Sequence, residues 1–317
     1  MHIGQGERPA TRLRALLAGQ KPLVVLGAYN AVSAKVVEAA GFPAVYMSGY
    51  HTALALLGLP DVGLVTATEM QLNAQYIASA VKIPVIADAD NGYGNAINVI
   101  RTVRDYIRTG VAAIHIEDQV IPKRCGHVAG RQVIPIEEAV GKFRAADKVR
   151  RAIDPDFVLI GRTDARGAAG GSLDAAIRRA NAYLEAGADI AFVEGPTSED
   201  EVHRITREVH GPVLYNQTGL SPRFTTEALR SLGIAVAIFP GVLSRLTVQA
   251  MYDFAEEFKR RGPLVEQELN ERTKAHPLAD IHDFAGFSQV REWEEEFLPA
   301  EELRKYDSSV GYQPGDR

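Results

Sequence analysis

Eight short runs rich in β-branched residues mark this chain, and each is apolar on both faces rather than alternating. They are 23–30 (LVVLGAYN), 44–49 (AVYMSG), 84–90 (PVIADAD), 113–118 (AIHIED), 157–165 (FVLIGRTDA), 190–195 (IAFVEG), 213–218 (VLYNQT) and 235–241 (AVAIFPG). A strand with two apolar faces has to be covered on both sides, as in a parallel sheet flanked by helices. Helical patterns lie between the runs and stop at glycine: 31–40 before Gly41, 173–186 before Gly187, and 225–232 before Gly233. Glycine just past a helix can take the left-handed conformation that caps the last turn. Helix, glycine and strand repeated in this order predict βα units, and eight of them predict a closed (β/α)8 TIM-type barrel. An open doubly wound sheet is the structural alternative.

Length suits one such barrel, so residues 1–317 are expected to form a single domain with 242–317 as a C-terminal helical extension. Within the extension, 246–261 and 287–306 read as helices, with Trp293 and Phe297 one turn apart on one face. They would pack outside the barrel or exchange between subunits. The end, 308–317, is polar and reads as frayed.

Composition narrows the partners. Thirty-five basic and forty acidic residues give a net charge of −5, which argues against nucleic acid or an anionic membrane as the main partner. No apolar run approaches the ~20 residues of a membrane span. The opening stretch MHIGQGERPATRLRALLAG lacks the apolar core of a secretion signal. One cysteine makes an internal disulfide or a C-x-x-C metal site impossible. A soluble cytoplasmic protein is expected.

The C-terminal ends of the runs carry the chemistry: Asn30, Ser48, Asp88 with Asp90, Glu117 with Asp118, Arg162 with Asp164, Glu194, and Asn216 with Thr218. In a barrel those ends converge on the rim where active sites form. Asp88 and Asp90 are two apart on a predicted strand, so both should face the same side. Paired carboxylates repel unless one is protonated or a cation lies between them. With Glu117 on the next strand, an all-oxygen set suits Mg²⁺, or Mn²⁺, rather than zinc. A carboxylate pair held by backbone amides or Arg162 is the alternative. His115 reads first as a hydrogen-bonded core residue. Gly92-Tyr93-Gly94 reads as a tight turn, because Ile97 replaces the third glycine of a dinucleotide fingerprint.

After the fourth run comes the loop 119–135 (QVIPKRCGHVAGRQVIP), which sets Cys125 among Lys123, Arg124 and His127. Cations and an imidazole beside a thiol should lower its pKa, favouring a thiolate or an easily transferred proton. Gly126 and Gly130 would let the segment move as a lid. Arg162 is a candidate carboxylate clamp, or a charge balance for Glu117 and Glu194. Asn216, Thr218 and Ser221 supply neutral donors or cap a loop. No G-x-S-x-G elbow supports serine hydrolase chemistry.

The string KRCGH resembles the active-site motif of isocitrate and methylisocitrate lyases, within the isocitrate lyase and phosphoenolpyruvate mutase superfamily. The likeness extends through YMSG, GLPD at Asp61, DADNGYG, IEDQ, GRTDA and FVEG. The stretch FTTEALRSLGIAVAIFP followed by Arg245 is most similar to methylisocitrate lyases. The resemblance implies a homotetramer of barrels with the last helices swapped, and Asp88, Asp90 and Glu117 at the metal. It implies Cys125, Lys123, Arg124 and His127 as the catalytic loop. Tyr46, Ser48, Gly49, Asp61, Gly126, Arg162, Glu194, Asn216, Thr218 and Arg245 would meet a small di- or tricarboxylate, with Arg272 as a further candidate. The implied reaction is Mg²⁺-dependent retro-aldol cleavage of 2-methylisocitrate to pyruvate and succinate, with Cys125 protonating the departing carbanion. Tyr46, Asp61 or a metal-bound water would take the hydroxyl proton.

Tyr50 and His51 stand where methylisocitrate lyases have smaller residues, and a ring there would fill space beside a substrate carboxylate. Val128 replaces a longer side chain. Cleavage or hydrolysis of a shorter acid, 2,3-dimethylmalate or oxaloacetate, would use the same thiol and metal. A phosphonate mutase should not need Cys125. A non-catalytic dicarboxylate binder is the remaining alternative.

Overall fold

The computed structural model describes residues 6–19, 21–307 and 309–314. Residues 1–5 of the opening stretch, and 308 and 315–317 of the predicted polar end, lie outside the described residues. The chain divides into two compact units, Met1–Thr247 and Val248–Arg317.

In the first unit α1 (Pro9–Ala18) leads into β1 (Leu23–Ala28), α2 (Ala31–Ala39), β2 (Val45–Met47) and two helices, α3 (Gly49–Leu57) and α4 (Ala67–Ala80). Then β3 (Val85–Asp88), α5 (Ala96–Arg108), β4 (Ala113–Glu117), α6 (Ile136–Ile153), β5 (Val158–Thr163) and α7 (Leu173–Glu185) alternate. The series ends with β6 (Ile190–Val193), α8 (Glu199–Glu208), β7 (Val213–Asn216), α9 (Thr226–Ser231), β8 (Val236–Phe239) and the start of α10 (Val242–Arg261). Every strand pairs in parallel with the next, and β8 returns to β1 through Leu23↔Val236 to Leu26↔Phe239. The sheet is a closed barrel, and the open alternative is excluded. Gly41, Gly187 and Gly233 all have positive φ, as their places after helices predict.

Strand periodicity sorts the core. Leu23, Val25, Tyr46, Ile86, Ile160, Phe192, Leu214 and Ile238 share one cluster with Leu13 of α1, and Leu16 and Leu17 pack against it. The opposite strand faces join the surrounding helices in two further clusters. Because side chains alternate, the residues two beyond Ile86, His115, Ile160, Phe192 and Leu214 face inward too. Those residues are Asp88, Glu117, Arg162, Glu194 and Asn216, so the alternation that fills the barrel also sets its rim.

Helix α1 is held by its basic residues. Arg14 Nε donates to the Asp156 carbonyl at 2.7 Å, and its Nη2 lies 3.1 Å from Asp189, which Arg150 also pairs at 2.9 Å.

The second unit contains α11 (Leu264–Thr273), α12 (Ile281–Ala285), α13 (Phe287–Phe297), α14 (Ala300–Leu303) and a 3₁₀ turn at Arg304–Tyr306. The continuous helix expected over 287–306 is broken, since Leu298 is extended and Pro299 cannot donate to the preceding turn. Glu294 ties the pieces together through Lys305 at 2.7 Å, while Arg291 lies over the Tyr306 ring at 4.2 Å. Trp293 is half-buried and Phe297 exposed. Among the described residues no helix is long and apolar enough to cross a membrane.

Leu13→Ala should leave a void where α1 meets the barrel interior. The expected loss is about 2–4 kcal/mol of unfolding free energy, read as a lower urea midpoint with unchanged slope.

Candidate active site

Strand β3 ends at Asp88, and the chain then turns sharply out of the sheet. Asp90 adopts φ +46°, Gly92 +80° and Tyr93 +60°. Two of these are side-chain-bearing residues in the left-handed region, a conformation that costs free energy and persists only where the surroundings enforce it. Enforcement comes from the Asp90 amide donating to Asp88 Oδ1 at 2.9 Å and the Glu117 amide donating to the Asp90 carbonyl at 2.8 Å. Tyr106 Oη also donates to the Asp88 carbonyl at 3.0 Å. The two aspartates are therefore not successive same-face strand residues, as expected from their spacing. Asp88 ends the strand, and Asp90 swings over to the loop after β4.

There Lys123, itself buried, sits 2.6 Å from Asp90 Oδ1 and 2.8 Å from Asp61. The Gly49 amide donates to Asp88 Oδ2 at 3.1 Å, and a Cβ on Gly49 would stand 2.5 Å from that oxygen, so only glycine fits. Burial pushes Asp88 up, but the charges around it outweigh burial and hold its pKa at about 2. His115 is driven down to about 4 by its own burial, so near neutral pH Lys123 and Arg162 are the cations that keep Asp88 ionised. Asp90 goes the other way, to about 6, because burial together with Asp88 and Asp61 outweighs Lys123. His115 is the hydrogen-bonded core histidine expected, with Nε2 2.7 Å from Tyr46 Oη.

Glu117 is buried at the end of β4, and neither carboxylate oxygen has a hydrogen-bond partner. Its nearest cation is Arg162 Nε at 3.3 Å, and burial drives its pKa well up. A buried carboxylate without hydrogen bonds is costly, and a hard cation is the partner that offsets this. Asp90 Oδ1 also lacks a well-aligned hydrogen bond. Hard oxygen donors on adjacent strand ends fit a divalent ion. Among the described residues no three His, Cys, Asp or Glu side chains converge on one point, so Asp88, Asp90 and Glu117 do not meet as the sequence led one to expect.

On the adjoining strand Arg162 makes a two-pronged pair with Asp164, Nε to Oδ2 at 2.9 Å and Nη2 to Oδ1 at 3.2 Å, and lies 3.6 Å from Glu194. The charge-balancing role foreseen for it is present. Glu194 also receives Asn216 Nδ2 at 3.1 Å and lies 3.2 Å from His127. Against burial, Arg162 and His127 hold Glu194 at about 2. Asn216 Oδ1 and Ser221 Oγ are buried without partners.

The loop after β4 lies down on these groups. Its stem pairs Gln119 with Val133, and the Gln119 side chain clamps the Arg124 backbone from both sides, at 2.9 and 2.8 Å. Gly126 is buried so closely that a Cβ would meet Arg162 Nη2 and Glu194 Cγ, each at 2.5 Å. Cys125 between them is half-buried, and burial raises its pKa although the His127 amide and Arg162 oppose it. The expectation of a depressed thiol pKa is thus overturned. Lys123 spends its charge on Asp61 and Asp90, and Arg124 points its side chain into solvent.

A strand-end carboxylate cluster, an arginine locked between acids and a docked cysteine loop share one barrel rim, and comparison with known proteins places that rim in a family. The family described as phosphoenolpyruvate phosphomutase matches residues 13–259. The chain belongs to the PEP mutase/isocitrate lyase superfamily. It is 42% identical to 2,3-dimethylmalate lyase of Eubacterium barkeri, over 91% of this chain and 98% of that one. It is 41% identical to 2-methylisocitrate lyase of Aeropyrum pernix, over 88% and 89% respectively. A crystal structure of 2,3-dimethylmalate lyase superposes with TM-score 0.85 at 34% identity, covering 97% of this chain and 100% of that one. Phosphonopyruvate hydrolase in complex with oxalate and Mg²⁺ superposes with TM-score 0.82 at 30% identity, covering 92% and 100%.

In this superfamily member the residues singled out from sequence divide by position. Tyr46, Gly49, Asp61, Asp88, Asp90, Glu117, Lys123, Gly126, His127, Arg162, Glu194 and Asn216 lie at or beside the strand ends, joined through the contacts above, with Ser48 following β2 and Cys125 next to Gly126 in the loop. Thr218 is half-buried past β7. Arg245, in the first turn of α10, is exposed and makes no side-chain hydrogen bond or ion pair among the described residues; Arg272 is exposed on α11. Tyr50 is 40% exposed, its ring edge-on to His51, whereas His51 turns in to meet Ser48 Oγ at 2.8 Å. Asp118, grouped from sequence with the strand-end charges, is buried and accepts from Thr163 at 2.7 Å, Tyr183 at 2.6 Å and the Asp164 amide at 2.9 Å. Sequence reasoning passed over Arg131, which acts across elements in a way that local spacing does not reveal.

The depressed pKa of Glu194 makes it a source of stability above its unfolded pKa near 4.5. That contribution fades as pH falls toward about 2, because protonation removes its pairing with Arg162. Glu194→Gln should lower unfolding free energy by about 2–3 kcal/mol at neutral pH, and the deficit should narrow below about pH 4.5 in a urea titration series.

Proposed function

We propose that the protein is a divalent-metal-assisted carbon–carbon lyase of small 2-hydroxy acids bearing two or three carboxylates. The observation that carries this reading is Cys125, on a loop docked against Arg162 and Glu194 through Gly126, with a thiol that burial keeps protonated. A protonated thiol at a charged rim is placed to be a general acid.

Asp88, Asp90 and Glu117 would hold the ion, directly or through water, and its charge would acidify the substrate hydroxyl and offset its oxyanion. Arg162 would face the substrate's carboxylate while Asp164 fixes the guanidinium plane. Loss of the hydroxyl proton lets the adjacent C–C bond break, leaving an α-keto acid and an electron pair on the departing acid as an enediolate. Arg162, Asn216 and Thr218 would stabilise that charge. Cys125 Sγ–H then gives its proton to the carbanion, and the docked loop keeps competing water away. Tyr46 Oη, bonded to His115, and Asp61, bonded to Lys123, are the candidates beside metal-bound water for the base.

Among such acids 2-methylisocitrate, cleaved to pyruvate and succinate, is favoured by the motif run from Asn216 to Arg245. The exposed guanidinium of Arg245 is free to take a third carboxylate. A second reading, 2,3-dimethylmalate, is favoured by 42% identity across 98% of that lyase and by His51 filling space beside Ser48. A homotetramer with exchanged C-terminal helices is part of the same proposal. It is supported by exposed Met251, Tyr252, Ile281 and Phe297, apolar surface that association would cover.

The test is product NMR on the Mg²⁺-supplemented protein, with 2-methylisocitrate, isocitrate, 2,3-dimethylmalate and oxaloacetate in separate tubes. Pyruvate and succinate from the first alone support the tricarboxylate reading. Products from 2,3-dimethylmalate alone move the substrate and keep the chemistry, and no product in any tube overturns both. Cys125→Ser should lower turnover by about 10²–10⁴-fold; near-parent turnover would remove the thiol from the mechanism.

A further inference from the structure

Arg131 lies six residues past Cys125, beyond the motif that carries the chemistry, and is 8% exposed. Its Nη1 donates to the Gly126 carbonyl and lies 3.3 Å from Asp164 Oδ1. The same Asp164 oxygen accepts Arg162 Nη2 at 3.2 Å. One carboxylate thus joins the rim arginine to an arginine belonging to the loop. Asp164 is in turn fixed through its amide, which donates to Asp118 at 2.9 Å. The backbone on the far side has been cleared for the guanidinium: a Cβ on Gly167 would run into Arg131 Nη2. Arg131 is also tied by its own carbonyl, which accepts from the Ala169 amide at 3.0 Å.

We propose that Arg131 is a positioning residue that latches the Cys125 loop onto the rim by bridging the Gly126 carbonyl to Asp164. Two other side chains fasten the tip, Lys123 to Asp61 and Asp90 before the cysteine, and His127 to Glu194 and Asn216 after it, the latter at 3.2 and 3.4 Å. Neither bonds the Gly126 carbonyl, which Arg131 holds directly after the cysteine. A charged donor shared between a carbonyl and a carboxylate holds both more firmly than neutral hydrogen bonds would. Because Asp164 also sets the plane of Arg162, the latch makes the loop's seat depend on the arginine that faces the ligand. The inference rests on this geometry and on no choice of substrate.

The test reads the position of Cys125 without any turnover. Alkylation of the single cysteine by iodoacetamide would be timed in the full-length protein, with the thermal midpoint measured on each variant. Arg131→Ala should raise the alkylation rate by about tenfold or more, as expected for loss of a hydrogen bond to a charged group, and Arg131→Lys should recover much of the protection. Gly167→Ala, which touches neither the rim nor the loop backbone but crowds the guanidinium, should raise the rate in the same direction with a midpoint no lower than that of Arg131→Ala. If Arg131→Ala proves unstable, Gly167→Ala and Arg131→Lys decide the matter. Rates within twofold of the parent in the folded variants would overturn the latch, even if product assays upheld the lyase. A raised alkylation rate in a protein that cleaves none of the four acids would uphold the latch and leave the lyase reading failed.

Discussion

Six buried carboxylates, Asp61, Asp88, Asp90, Glu117, Asp164 and Glu194, share the barrel rim with three buried cations, Lys123, Arg131 and Arg162. Taking an unpaired charge out of water is prohibitively costly, and two of the cations are each divided among several acids while Arg131 pairs with Asp164 alone. Lys123 serves Asp61 and Asp90, while Arg162 serves Glu117, Asp164 and Glu194. At Asp90 and Glu117 burial outweighs the cations near them, and these are the rim groups whose pKa values rise. The loop's own Lys123 and Arg131 belong to this network, so rim and loop share one set of charges.

The barrel was legible because its signal is repeated. Each of the eight apolar runs contains an observed strand, shortened where its last residues leave the ladder to become rim groups. The site was legible for the same reason, since Asp88, Glu117, Arg162, Glu194 and Asn216 fall at the ends of runs. What escaped depends on conformation or on distance along the chain. Asp90 breaks the strand in a left-handed turn, so its spacing from Asp88 misled. Cys125 has cationic neighbours in sequence, yet those cations point elsewhere, and burial decides its pKa. Arg131 and Asp118 looked like ordinary loop and strand-end charges until β5 brought Asp164 between them. The break at Leu298 was written in the sequence by Pro299, whose effect on a continuous helix was overlooked.

Glycine does at this rim what side chains do elsewhere. Gly49 lets Asp88 approach the backbone, Gly126 lets the loop tip settle between Arg162 and Glu194, and Gly167 leaves room for Arg131. In each case the space a Cβ would need is filled by a charged group of the network. These are sites where the smallest addition disturbs electrostatics before it disturbs packing.

Helix α1 meets the interior side chains at the end of the barrel away from the rim, and Tyr46, Ile86, Ile160 and Phe192 occupy the space between. The two ends of the barrel are thus closed by different forces, apolar packing beneath α1 and ion pairs beneath the docked loop.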